Sequence, residues 1–246
     1  MFDLKGYESA LLDGAWITLQ VALLSLLLAV TLGLLGALAK LSAVRPLRWL
    51  ATLYTTVIRG IPDLVLMMLI FFGGQVLLNN SLYSLNESLN NWLGGGDPNH
   101  EWTSYVPDYI EISPFIAGII TIGFIFGAYM AETFRGAILS VDKGELEAAS
   151  AYGMGPLLVF RRVLFPQMMR HALPGLGNNW LVLLKTTALV SIIGLDDMVR
   201  SASLAAGATQ LPFTFYMAVA LIFLLFTTLS TSLLRWAERH YAIPGR

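Results

Sequence analysis

Two uncharged runs, residues 14–39 and 112–131, constrain this chain most. Each reaches the roughly 20 apolar residues that a helix needs to cross the hydrocarbon core of a bilayer. A helix is also one of the few structures that satisfies its own backbone there. Three further apolar segments follow: 49–78, interrupted by Arg59, Gly60, Pro62 and Asp63; 173–195, with Lys185 inside it; and 213–234. The expected fold class is an all-α integral membrane protein of about five transmembrane helices, forming one transmembrane domain over residues 1–246. Only 13% of the residues are charged, against about 25% in soluble domains. Residues 1–13 carry Asp3, Lys5, Glu8 and Asp13, and the apolar run behind them is too long for a secretory h-region, so no cleaved leader is expected.

The basic residues set an expected orientation. Lys40, Arg45 and Arg48 follow the first span. Arg135, Lys143, Arg161, Arg162 and Arg170 lie between the third and fourth, and Arg235, Arg239 and Arg246 follow the fifth. The opposite side holds only Lys5 and Arg200. The positive-inside rule then places the N-terminus outside and the C-terminus in the cytoplasm. Residues 79–111 become an external loop with Glu87, Asp97, Glu101, Asp108 and Glu111, no Lys or Arg, and a flexible Gly94-Gly95-Gly96.

The cytoplasmic stretch 139–172 is richer in helix formers and charge than a connection requires. Glu145, Glu147, Ala148, Ala149 and Ala151 favour a helix, and Gly153 stops or bends it. Pro156 suits the first turn of a second short helix, expected over 157–165 and ended by Pro166. The pair reads as helices laid against the membrane and facing a soluble partner.

Ionisable residues inside spans are functional candidates because they are costly there. Lys185 falls near the middle of its span, with Asn178 seven positions earlier on the same face. Its ammonium needs a carboxylate on another span, broken-helix carbonyls or a substrate carboxylate. The Arg59-Gly60-Ile61-Pro62-Asp63 interruption reads in two ways. It is a broken helix lining a cavity, as transporters use near substrate, or the span starts at Pro62 with Asp63 in its first turn. Glu132 and Arg135, three apart, suit a pair on one helix face, with a lining or gating role for Glu132 as the other reading. Gly123 and Gly127 form a small-xxx-small pair suited to close helix packing.

These residues also carry a resemblance. Glu147-Ala148-Ala149, three residues, Gly153, nine residues and then Val163-x-Phe165-Pro166 resembles the EAA loop of ABC importer permeases. Val163 stands where Ile is commoner and Phe165 where Leu is commoner; both keep the position apolar. Arg59-Gly60-Ile61-Pro62 resembles the family's RGxP element, and Glu132-Thr133-Phe134-Arg135-Gly136 its ExxRG. Pro174 with Asn178 and Lys185-Thr186-Thr187-Ala188-Leu189 resemble its PxxxN and K-x-T-A-L elements. The branch is the polar amino acid, HisM-type one. Pro62-Asp63-Leu64-Val65-Leu66 and Leu176-Gly177-Asn178-Asn179-Trp180 look most like the Q-type membrane subunit of histidine/lysine-arginine-ornithine permeases.

The resemblance implies a type I importer subunit in the bacterial inner membrane, translocating basic or polar amino acids. Its partners would be two ABC ATPase subunits, a second permease subunit (M-type or self) and a periplasmic amino acid-binding protein. Glu145, Glu147, Ala148, Ala149, Gly153 and Pro166 would couple to the ATPase; Arg59, Asp63, Glu132, Asn178 and Lys185 would lie along the substrate pathway. No cofactor is expected in this chain, since ATP and magnesium belong to the partner ATPase. The sequence lacks the G-x-x-x-x-G-K-[ST] phosphate loop.

Two other classes fit less well. An ion-coupled secondary transporter calls for a deep acid and usually an internal repeat. A membrane enzyme calls for a nucleophile-base pair or a metal cluster, and the chain has no cysteine and three scattered histidines. A net charge of −1 gives no hint of nucleic acid. Glutamine, glutamate or an opine are the alternative substrates.

Overall fold

The computed structural model describes residues 4–93 and 103–241, and these are helical almost throughout. In chain order the helices are α1 (Glu8–Leu41), α2 (Arg45–Gly60), α3 (Asp63–Leu93), α4 (Pro114–Leu139), α5 (Lys143–Ala151), α6 (Pro156–Val159), α7 (Phe165–Thr186), α8 (Met198–Thr209) and α9 (Pro212–Tyr241). Among the described residues, five segments are long and apolar enough to span a bilayer: Glu8–Leu41, Asp63–Leu93, Pro114–Leu139, Pro156–Ile193 and Pro212–Tyr241. The triple glycine at 94–96 lies outside the described residues.

The core sits between α1 and α4, the most extensively packed pair. Small residues let the backbones approach. A Cβ on Gly33 would stand 2.6 Å from Met130 Cβ, and one on Gly127 would stand 2.8 Å from both Leu32 Cβ and the Tyr54 hydroxyl. Gly123 meets Leu28 in the same way, so the Gly123/Gly127 pair packs against α1. Around this seam Ala22, Ala29, Ala37, Ala128 and Ala131 are fully buried. Gly127→Leu therefore has nowhere to place its side chain. We expect a loss of roughly 3 kcal/mol or failure to accumulate in the membrane, read as yield and melting temperature in detergent.

Two expectations about helix boundaries are corrected. Residues 49–78 do not form one interrupted span; of the two readings of the Arg59–Asp63 break, the helices follow the one in which the span starts after it, with Asp63 in its first turn. The chain leaves helical geometry at Ile61 (φ −111°, ψ 139°), as a residue before proline does, and α3 starts afresh at Asp63. The amphipathic α2 is a separate helix packed on α1 and α4. Pro166 does not end a short helix either. Residues Phe160–Leu164 widen into a π-helical turn, and Pro166 sits in the first turn of α7. The wide turn accommodates a ring that would otherwise clash with the carbonyl four residues back. The fourth segment is thus one long helical path from Pro156 rather than a span beginning near Leu173. It tightens to a 3₁₀ helix at Thr187–Ile193, closed by Gly194 at φ +96°.

A smaller core joins α8 and α9 to the start of α1, through Leu11, Ala15, Met198, Ala202, Ala205 and Phe215. Its hinge is Asp197, whose Oδ1 accepts the Arg200 amide at 2.9 Å as the N-cap of α8. Asp197 is buried, and its Oδ2 finds no partner among the described residues. Burial pushes the carboxyl up to about 6, against the lowering pull of the backbone amides. A raised folded-state pKa favours the fold below the ordinary carboxylate range, and that contribution is lost as pH rises through 6. Asp197→Asn keeps the cap and removes the charge. At pH 8 it should stabilise the protein by about 2 kcal/mol, with no gain near pH 4; melting curves at the two pH values check this.

Candidate functional site: a charged cleft and a capped coupling helix

The break between α2 and α3 opens a cleft of about 360 Å³ lined by Thr55, Thr56, Arg59, Gly60, Tyr129 and Glu132. Arg59 leaves the last turn of α2 and lies over the Tyr129 ring, 5.5 Å from its centroid. Asp63 opens α3 on the other side of the break and is half-buried. Glu132 is tied down. Lys40 Nζ donates to it and to Thr55 Oγ1 (2.7 Å), and Arg135 Nε donates to its other oxygen at 3.2 Å. The expected Glu132–Arg135 pair is present. Lys40, assigned from sequence to a cytoplasmic loop, is instead the last-turn residue of α1 and reaches into this cluster. One half-buried carboxylate thereby joins α1, α2 and α4, and its charge is balanced within the chain. Among the described residues Asp63 has no ion-pair partner, so it is the acid in this region that remains available.

Asn178 and Lys185 stand apart from the cleft on α7. Both are exposed on the same face as Pro174 and Val182. Among the described residues Lys185 finds neither an ion pair nor a hydrogen-bond partner. Asn179, next to Asn178, turns inward and donates to Thr133 Oγ1 at 3.1 Å. This locks α7 against α4, where Gly175 leaves room for Thr133. The two groups of predicted pathway residues are therefore not one pocket in a single chain. The polar stripe of α7 is left open to whatever packs beside it.

The stretch from Asp142 to Met154 has a local logic that explains its spacing. Asp142 caps α5 by accepting the Gly144 amide at 2.8 Å. At the other end Gly153 adopts φ +81°. Its amide bonds the Ser150 carbonyl at 3.0 Å, and the Met154 amide bonds the Ala149 carbonyl at 3.2 Å. That bonding pattern is a Schellman cap. It needs a residue tolerant of left-handed geometry four positions after Ala149, and glycine supplies it. Ala149 is buried, while Glu147 and Ala148 face outward. Glu145 accepts a hydrogen bond from Gln167, joining α5 to the first turn of α7. Beyond the cap, Tyr152 and Leu157 are 88% and 80% exposed, with Phe160, Arg161 and Arg162 alongside. Such apolar exposure with basic neighbours marks a contact surface. The chain's C-terminal helix closes the same end: Arg170 Nε donates to the Tyr241 carbonyl at 3.0 Å.

Sequence reasoning missed Lys40, Thr55 and Tyr129. Nothing in their spacing announces contacts between residues up to 92 positions apart. Ser and Thr hydroxyls in spans bond carbonyls locally as well, and Thr55 does so to Thr52.

Comparison with known proteins places this geometry. Residues 17–243 match the model of the family described as "Binding-protein-dependent transport system inner membrane component". The chain is 49% identical over 240 residues to the histidine/lysine/arginine/ornithine transport system permease protein HisQ of Salmonella typhimurium, covering 98% of this chain and 96% of that one. It is 42% identical over 238 residues to the nopaline transport system permease protein NocQ of Agrobacterium fabrum (95% and 93% covered). A crystal structure of an amino acid ABC transporter with histidines superposes with a TM-score of 0.74 at 32% identity, covering 95% of both chains. An inward-facing MetNI methionine ABC transporter gives 0.68 at 15% identity, covering 97% of this chain and 99% of that one, a likeness of fold. The chain belongs to the family of binding-protein-dependent inner membrane components, as the multi-pass permease subunit of an ABC transporter whose ATPase and binding protein are separate subunits.

Proposed function

We propose that this chain is a translocation subunit for basic amino acids: histidine, arginine, lysine and ornithine. The observation that carries the substrate class is the 49% identity to HisQ along nearly the whole of both chains. Its N-terminus is periplasmic and its C-terminus cytoplasmic, on the strength of the Lys and Arg distribution. The 143–153 segment seats on the ATPase subunit. The exposed Tyr152 within it, and Leu157 and Arg161 just beyond it, support that reading, as does the Schellman cap that gives the segment a fixed shape.

Closure of the ATPases on ATP displaces α5. The Glu145–Gln167 bond carries the movement into α7, and the short turn at residues 140–142 carries it into α4. A second permease subunit packs beside this one and covers the α7 stripe. Asn178 and Lys185 then line the path between subunits. Lys185 offers a cation to the substrate α-carboxylate, and Asp63, the acid without an ion-pair partner, offers charge to its basic side chain. The Glu132 cluster stays structural, and Arg59 is held over the Tyr129 ring beside it.

The test is competition. Uptake of labelled histidine by the reconstituted transporter should be suppressed by a tenfold excess of arginine, lysine or ornithine and unaffected by glutamine. Suppression by nopaline or octopine alone would move the assignment to the opine permeases, which the similarity to NocQ keeps as the second reading.

A further inference from the structure

The helix α2 is built unlike the spans around it. At about 3.6 residues per turn, Arg45, Arg48, Thr52, Thr56 and Arg59 share one face, and Leu47, Leu50, Leu53, Tyr54 and Val57 the other. Trp49 stands on the boundary between them. The 16 residues of α2 are about 24 Å long, short of a hydrocarbon core of about 30 Å. A short helix with arginine on one face and Trp and Leu on the other belongs to the membrane interface rather than to a span. It packs on α1 and α4 through Ala51, Thr55 and Ile58, while Leu47, Trp49, Leu50 and Leu53 stay exposed.

Where α2 turns back against the end of α1, the two helices leave a cavity of about 620 Å³. Small residues, Gly36, Ala39, Ser42 and Ala51, make room for it, and Leu35, Leu38 and Leu47 flank it. Leu35 and Leu38 are themselves exposed, so the cavity opens sideways, toward lipid. The two polar side chains in its lining are already engaged. The Tyr54 hydroxyl donates to the Phe124 carbonyl at 2.5 Å, and Ser42 Oγ accepts the Val44 amide at 3.1 Å. Such a lining suits a hydrocarbon chain and offers a polar solute nothing.

Charge stands at one end of this cavity. Ser42 begins the turn between the helices, and Arg45 and Arg48 follow it in the first turn of α2. Both arginines are exposed. Among the described residues neither makes an ion pair, whereas Lys40 is taken up by Glu132. The chain has no Asp or Glu from residue 14 to residue 62, so this stretch supplies no counter-charge of its own. Guanidinium groups bind phosphate in a forked geometry, and basic pockets between helices on the cytoplasmic side suit anionic headgroups. An apolar helix of another subunit would fill the cavity but leave both arginines uncompensated.

We propose that the α1–α2 cavity is a site for an anionic phospholipid of the inner leaflet, with one acyl chain in the cavity and the phosphate on Arg45 and Arg48. The leaflet rests on the cytoplasmic placement of this turn, which follows from the orientation proposed above. The lipid sits against the two helices that the Lys40–Thr55 bond joins at 2.7 Å. It therefore stiffens the joint from which α2 carries Arg59 to the charged cleft.

The experiment strips the complete transporter of lipid in detergent, adds phosphatidylglycerol or phosphatidylcholine, and reads the lipid retained by native mass spectrometry. Phosphatidylglycerol should be retained at least about tenfold better, and glycerol phosphate, the headgroup without chains, not at all. Arg45→Gln with Arg48→Gln should abolish the preference. Ala39→Phe fills the cavity with both arginines in place and should lower retention about tenfold; Leu47→Trp, at an exposed position, does the same if Ala39→Phe fails to accumulate. Equal retention of the two lipids, retention of glycerol phosphate alone, or unchanged retention in the variants would each overturn the site. Retention in detergent is blind to sidedness, so that failure leaves the orientation standing. Because the chain has no cysteine, Arg48→Cys reports the side separately. Its labelling in spheroplasts by a maleimide that cannot cross the membrane would overturn the inner-leaflet assignment through the orientation; protection until the membrane is opened is the expected result.

Discussion

Replacing Glu147 and Gly153 together by arginine is expected to detach the ATPase while leaving the membrane helices folded. Gly153 sits at φ +81° in open space, so a side chain there meets no atom but strains the backbone by roughly 1–2 kcal/mol. That strain competes directly with the two hydrogen bonds of the Schellman cap. Losing them lets the last turn of α5 fray, and the surface around Tyr152 loses its fixed shape. Glu147 faces outward on the same helix, and arginine reverses the charge it presents. Neither residue touches the α1–α4 core, so melting in detergent should move by only a few degrees. ATPase co-purification should fall at least about tenfold. Retained association would remove the 143–153 segment from the coupling role.

The second large effect concerns the half-buried carboxylate of Glu132. Lys40→Met leaves Glu132, 21% exposed, with Arg135 as its remaining ion-pair partner. Removing one member of a half-buried ionic cluster costs about 1–2 kcal/mol, between the cost for an exposed pair and that for a fully buried one, mostly the penalty of the charge left behind. Glu132→Gln alone strands Lys40 in the same way. The double variant Lys40→Met, Glu132→Gln removes both charges, and more than half of the lost stability should return. A coupling of about 1–3 kcal/mol between the two sites, measured from denaturation of the four proteins, would establish the cluster as a structural joint of α1, α2 and α4. Additive losses would instead make Glu132 an independent pathway residue.

Much of this architecture was legible because lipid imposes strong rules. Uncharged runs marked the bodies of α1 and α4, though α1 starts six residues earlier, at Glu8, and α4 runs eight residues further, to Leu139. The spacing of Glu147, Ala149 and Gly153 already contained the end of α5, since a Schellman cap fixes where the glycine falls. What stayed hidden was set by tertiary contact. The π turn at Phe160–Leu164 lets a helix run through Pro166, which by propensity alone ends one. Lys40 read as a loop cation because its distant partner, Glu132, is reached only through packing. Asn79, Asn86 and Asn90 read as an external polar loop and Gln75 as part of the apolar segment 49–78, yet all four lie on one face of α3 and bond the backbone of residues 103–112. Amide side chains are common in loops, and only their shared helix face distinguishes this one.

Transport by reconstituted proteoliposomes tests the central claim most directly. The chain would be assembled with its ATPase, partner permease and binding protein, and labelled histidine and arginine followed with ATP, without ATP, and with an imposed proton or sodium gradient. Accumulation that requires ATP and binding protein and ignores the gradients is the predicted result. Accumulation driven by a gradient in the absence of ATP would contradict it.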